Sequence, residues 1–225
     1  MTLVETVYEA IREGIVLGRY APESRLKVEH MKADFGVSGT IVRESLNRLI
    51  FEGLVIANGR RGFSVAPFSA DDLADIIRAR LLIEVEVVRL SVAHGNDDWE
   101  VALVGAHHGL TRREAAVDVA DEASIRALEA ANRAFHDQLG AACPSPTLFQ
   151  FYNQLFTRHY RYRRVALREK AILREARDDH QGLLDAALAR NVGRVADITR
   201  AHIERTQRFS DQLISAFDRA APVAD

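Results

Sequence analysis

Apolar positions recur at helical spacing from the start of the chain. Leu3, Val7, Ile11 and Ile15, with Val4, Tyr8 and Val16 beside them, mark one face of an amphipathic helix. Gly18 and then Pro22 end it, because glycine takes the turn after a helix and proline cannot continue one. A second helix is predicted from about Lys27 or Val28 to Phe35, stopping at Gly36. A third starts with Ser38 as N-cap and runs to Glu52, with Ile41, Leu46, Leu49 and Ile50 turned inward. Two helices joined by so tight a turn make a helix-turn-helix. The stretch from Gly53 to Ala57, a turn over Asn58 to Gly62, and Phe63 to Ala66 then predict a β-hairpin. Three helices and a hairpin within residues 1–66 are the parts of a winged helix.

Beyond Pro67 to Ala70, which has the look of a linker, the pattern is helical throughout. Helices are expected over Asp71 to His94, Glu100 to about Val117, Glu122 to Ala141, Thr147 to about Arg168, Ile172 to Arg190 and Val195 to Ala220. Pro144 and Pro146 must break the chain between two of them. The fold class is therefore mainly α: a winged helix-turn-helix, then an antiparallel bundle of six to seven helices over residues 71–221.

Composition narrows the class without deciding the function. With 225 residues, 48% of them hydrophobic, the chain can bury one large core or two small ones. No run approaches the roughly 20 apolar residues of a membrane span. Glu5, Glu9, Arg12 and Glu13 stand where a secretory signal would be apolar. The one cysteine, Cys143, excludes an intrachain disulfide or a cysteine zinc site, so a cytoplasmic location is expected. The net charge of −2 divides as +1 over residues 1–66 and −3 over the remainder, which neither supports nor opposes nucleic-acid binding.

A helix-turn-helix lays its second helix in the major groove with the first turn facing bases and phosphates. Here that turn holds Ser38, Thr40 and Arg43, while Arg60 and Arg61 at the hairpin tip can reach the adjacent backbone or minor groove. The residues from Ile11 to Pro22, Arg25-Leu26, Phe35 to Leu49, Glu52 to Val55 and Gly59 to Val65 together resemble the amino-terminal domain of GntR-family transcriptional regulators. That resemblance implies a homodimer on a near-palindromic double-stranded operator, contacted by Ser38, Thr40, Arg43 and the wing glycine, Gly62. The family usually has Arg where Gly39 stands and often Pro where Ile41 stands, so one base contact of the family is missing here.

The helical region carries a second pattern. Asn132 and His136 lie four residues apart, on one face of a helix and about 6 Å apart along its axis. His180 and His202 lie 12 and 10 residues either side of Val192, level with one another in an antiparallel hairpin. Three imidazoles and an amide suit a divalent ion with open positions; unrelated polar histidines on helix faces are the alternative. Asn132 to His136, Asp179 to Ala187, Ala201-His202 and Arg78 to Glu84 resemble the FCD effector domain of the FadR-type branch of the GntR family. The resemblance implies a metal, zinc first with nickel or manganese as alternatives, held by Asn132, His136, His180 and His202. It further implies a small organic acid as effector, with Arg80 in place to clamp its carboxylate.

Other polar groups are expected to be structural. Arg158, Arg161, Arg163, Arg164 and Arg168, with Tyr160 and Tyr162, read for the most part as a solvated or dimer-facing run, with an inward-pointing arginine that clamps a carboxylate as the alternative for at least one of them. His107 and His108 point about 100° apart and read as surface residues. A metal-dependent hydrolase using the three histidines is the competing function, with Glu175, Asp178 or Asp179 as base. Against it, the chain lacks zincin spacing, a serine elbow and a phosphate loop.

Overall fold

The computed structural model describes residues 2–166 and 170–208. Helix α1 (Leu3–Val16) begins at a capping box in which Thr2 and Glu5 satisfy each other's backbone N–H groups. Helix α2 (Val28–Phe35) stops at Gly36, whose φ of 63° is the left-handed conformation that glycine adopts without steric cost. Helix α3 (Gly39–Phe51) follows at once, capped by Ser38. Val7, Ile11 and Ile15 of α1 meet Val42, Leu46 and Leu49 of α3 in one core, closed below by Leu54, Val55 and Val65. Ser45 at that contact donates to the Val4 and Ile41 carbonyls.

The hairpin pairs β2 (Val55–Ala57) with β3 (Phe63–Val65), and a further strand, β1 (Arg25–Leu26), pairs antiparallel with β3 to give the order β1-β3-β2. The sequence reading contained only the hairpin. Two residues are too short to show a period, and β1 exists because β3 offers it an edge: Arg25 lies opposite Ser64 and Leu26 opposite Phe63.

Six helices follow among the described residues: α4 (Ala70–His94), α5 (Asp97–Ala116), α6 (Glu122–Gly140), α7 (Pro146–Ala166), α8 (Lys170–Leu188) and α9 (Val192–Arg208). Side-chain caps move several predicted starts. Ser69 caps α4, Asn96 caps α5 so that it starts at Asp97, three residues before the expected Glu100, and Asn191 caps the first turn of α9. The expected end of the last helix at Ala220 and the domain end at 221 lie outside the described residues. Helix α4 is central, packed against α6, α7 and α9, while α5 lies on α6 and α8. Val88 and Val92 of α4, Leu103 and Leu110 of α5, Phe135 and Leu139 of α6 and Leu183 of α8 share one core. No helix among the described residues is long and apolar enough to cross a membrane.

The basic run on α7 is not a solvated face. Tyr162 is fully buried, stacked on Phe68 with ring centroids 4.2 Å apart; it donates to Asp72 at 2.7 Å and accepts from the Ser69 N–H at 3.1 Å. Arg161 is also buried and donates to the Ala66 and Pro67 carbonyls at 3.1 and 3.3 Å. Arg158 pairs with Asp72 at 2.8 Å. Arg12 of α1 lies over the Tyr160 ring, and Glu13 pairs with Arg126 of α6 at 3.1 Å. One helix thus grips the linker and touches the winged head. Arg164 and Arg168 contribute nothing to this description, since their side chains lie outside the described residues. Arg161→Ala leaves the carbonyls of Ala66 and Pro67, at the junction of head and linker, without their donor and is expected to lower stability by about 1–3 kcal/mol, read from denaturant unfolding.

Candidate metal centre and nucleic-acid interface

The start of α3 presents what a DNA-reading helix needs. Thr40 and Arg43 are exposed, and among the described residues Arg43 pairs with no carboxylate. Glu44 is taken by Arg48 at 3.2 Å, and Glu29 by Lys32 at 2.7 Å. Ser38 accepts the Ile41 N–H at 3.4 Å, so its oxygen is the cap while its hydroxyl proton is left to donate to a phosphate. Arg43 bends back toward the helix start: its Nη1 lies 3.2 Å from where a Cβ on Gly39 would sit. Glycine at 39 therefore leaves room for the Arg43 guanidinium on the groove-facing turn. At the wing tip Arg61 is exposed and Gly62 has φ 86° and ψ −133°, a conformation open to glycine alone. The side chain of Arg60 lies outside the described residues.

In the helical region His136 of α6, His180 of α8 and His202 of α9 converge. Their ring centroids are 5.2–5.3 Å apart, and one nitrogen from each falls within 4.8 Å of the others. His136 Nε2 and His180 Nε2 are 3.4 Å apart. Glu114 of α5 holds His180 Nδ1 at 2.7 Å, and Asp179 holds His202 Nδ1 at 3.0 Å, so the outer nitrogens are occupied and Nε2 of each is left for the centre. Asp179 is fixed in turn by Arg205 at 2.7 Å.

All three imidazoles are held neutral. Burial, reinforced by the neighbouring histidines, takes His136 well below the usual histidine range. Burial likewise pushes His180 down to about 4, against the opposing pull of Glu114, and lowers His202 against the pull of Asp179. Asn132, one turn before His136 on α6, is buried and its Nδ2 has no partner among the described residues.

Residues 3–65 match the family of bacterial regulatory proteins called gntR, and residues 75–205 match the FCD domain. The HTH-type transcriptional regulator BphR of Paraburkholderia xenovorans is 36% identical over 210 residues, covering 90% of this chain and 83% of that protein. The chain is a GntR-family transcriptional regulator. The HTH-type transcriptional repressor GlaR of Escherichia coli is 31% identical over 200 residues, 87% of this chain and 90% of that one. Among solved structures, Escherichia coli McbR/YncC superposes with a TM-score of 0.74 at 21% identity, covering 94% of this chain and 98% of its own. A GntR regulator from Rhodococcus sp. RHA1 gives 0.70 at 20%, covering 94% and 97%. At these identities the structural likeness is one of fold.

As a GntR regulator with an FCD domain, the protein binds DNA and is not an enzyme. Of the carboxylates expected as a hydrolase's base, Glu175 and Asp179 are engaged, while Asp178 is exposed. Arg205 holds both Glu175 and Asp179, and Glu114 is bonded to His180. The donor set does fit a divalent metal. Three neutral imidazole nitrogens face one point, and two of the rings are oriented by carboxylates on their far side, the arrangement that metal-ligating histidines usually have.

One expectation of the regulator's sequence changes here. His107 is buried, its ring edge-on to Phe135 at 5.4 Å, so of the adjacent pair only His108 is a surface residue. Arg80 is buried, with Nε and Nη2 on Glu84 Oε2 at 2.9 and 2.8 Å and Nη1 against His159 Nδ1 at 2.9 Å. Sequence reasoning missed Glu114 and His159. Glu114 lies 66 residues from its histidine, and His159 stands within the arginine-tyrosine run of α7, where nothing in the local pattern separates it from its neighbours.

Proposed function

We propose that this regulator binds a near-palindromic operator as a homodimer, and that a small carboxylate bound at a divalent metal in the FCD domain controls that binding. The convergence of three neutral imidazoles carries the reading, with Asn132, buried one turn before His136 on α6, as the proposed fourth residue of the site. His136, His180, His202 and Asn132 would hold the ion, zinc first by its preference for imidazole, nickel or manganese otherwise. When bound, the ion supplies a positive charge with open positions for an anion. Arg80 adds a second buried charge, largely offset by Glu84. Leu82 on α4 and Val101 and Val104 on α5 are exposed apolar residues that support a subunit contact.

Control requires that the carboxylate favour one placement of the heads over another, since equal affinity for both shifts nothing. Helix α7 supports such coupling, because Phe156 packs on His136 while Arg161 and Tyr162 grip the linker to the head and Arg158 pairs with Asp72 of α4. The test is fluorescence anisotropy on an operator selected from genomic fragments, with metal-loaded and metal-stripped protein and a panel of mono- and dicarboxylates. Operator affinity is expected to respond to a carboxylate only when the metal is present. An affinity that no carboxylate moves in either form would overturn the reading.

At the DNA face, Ser38, Thr40, Arg43, Arg60, Arg61 and Gly62 are the proposed contacts. Arg43→Ala is expected to weaken operator binding by about 1–3 kcal/mol, roughly 5–150-fold. The same titration checks it against a scrambled duplex, on which a base-reading arginine loses much less.

A further inference from the structure

His159 differs from the three clustered histidines: it lies outside the cluster, with a partner at one ring nitrogen and none among the described residues at the other. It is buried on α7, Nδ1 is engaged by Arg80, and Nε2 is buried with no hydrogen-bond partner among the described residues. An arginine nitrogen only donates, so His159 Nδ1 must accept and the single ring proton must sit on Nε2. The result is a fixed, buried N–H donor with no acceptor among the described residues, an arrangement that disfavours the fold unless a ligand fills it.

Its position points to the same ligand as the metal site. Phe156 and His159 are three residues apart, on one face of α7, and the Phe156 ring lies 5.4 Å from that of His136. The Arg80 guanidinium that holds His159 lies 5.9 Å from the Phe156 ring centroid. Asn132 Nδ2, the other partnerless amide or imidazole nitrogen, is one turn from His136 on α6. Two orphaned nitrogens, one a turn from His136 on α6 and one a turn from the Phe156 ring that packs on His136, call for a ligand rich in acceptor oxygens. Arg80 itself is largely committed, since three of its five N–H donors are already engaged by Glu84 and His159.

We infer that His159, through Nε2–H, donates the hydrogen bond that recognises the carboxylate of the effector, and that Arg80 is a positioning residue that fixes the tautomer of His159. This rests on the proposed metal–carboxylate reading and assigns the contact within it.

Cobalt(II) is the probe for the site, because its visible absorption reports changes in its ligands, and sodium acetate is the minimal carboxylate. Wild type, His159→Phe and His159→Gln are loaded with cobalt, assayed for metal content and titrated with acetate. All three are expected to bind one cobalt per chain. Acetate is expected to perturb the wild-type spectrum, with its dissociation constant raised about tenfold or more in His159→Phe, the equivalent of losing one hydrogen bond to a charged group. The glutamine, which keeps a donor, is expected to recover part of the loss. Equal acetate affinity in wild type and the phenylalanine variant overturns the inference, as does loss of cobalt from that variant, which would make His159 a ligand. A cobalt-loaded wild type blind to acetate overturns the recognition of carboxylate. Failure of wild type to take up cobalt is the separate result that removes the metal reading itself, and this inference with it.

Discussion

Alanine in place of Phe135 is expected to lower the unfolding free energy by about 3–5 kcal/mol, the largest stability effect of any single change considered. The ring is fully buried on α6, within the core shared by α4, α5 and α8. It also stands edge-on to three imidazoles, those of His107, His136 and His180, each with its centroid 5.4 Å away. Truncation leaves a cavity whose walls include two residues of the proposed metal site, so the cost falls on the fold and on the spacing of His136 and His180 together. Phe135→Leu keeps most of the volume and is expected to cost less, about 1–2 kcal/mol. Denaturant melts of both variants check the order. An alanine variant within about 1 kcal/mol of wild type would mean that the bundle collapses around the gap, against the rigid packing typical of a protein core.

The same residue shows what the sequence makes legible. Phe135 belongs to a helix with apolar residues at regular spacing, and the periods of α1, α3 and α6 can be read without coordinates because each helix buries one face. The level of His180 with His202 follows from counting outward from Val192, and their centroids are 5.2 Å apart. Local signals end there. Strand β1 has two residues and is defined by its neighbour. The burial of Arg161 and Tyr162 depends on carbonyls, a serine and an aspartate more than 89 residues away, so a run that reads as solvated charge is in fact a clamp. Adjacent helical residues cannot chelate together, which sets His107 and His108 apart from the metal pattern. That argument is sound, but it is silent on packing, and Phe135 of another helix is what buries the ring. Glu114 and His159 share this origin: their roles come from α5 and α7 meeting the histidines in space.

His180→Ala is expected to abolish metal uptake. His180 joins the cluster at its centre, with Nε2 3.4 Å from that of His136 and Nδ1 held by Glu114. Loss of an outer partner of a metal ligand already costs about 10–100-fold in affinity. Removal of one of three imidazoles removes a bond to the ion itself, and the loss is expected to exceed that range. Metal content by mass spectrometry then falls from about one equivalent per chain to a trace. A second readout separates a metal site from polar packing. An ion that binds only the folded state stabilises it by about 2.7 kcal/mol at 100 times its dissociation constant, so zinc raises the melting temperature of wild type and leaves that of the variant unmoved. His108→Ala, at an exposed position, is the control that keeps both the metal and the shift. If wild type and His180→Ala instead respond alike to zinc, the three rings are a packing cluster held neutral by burial, and the protein regulates DNA without the metal proposed for it.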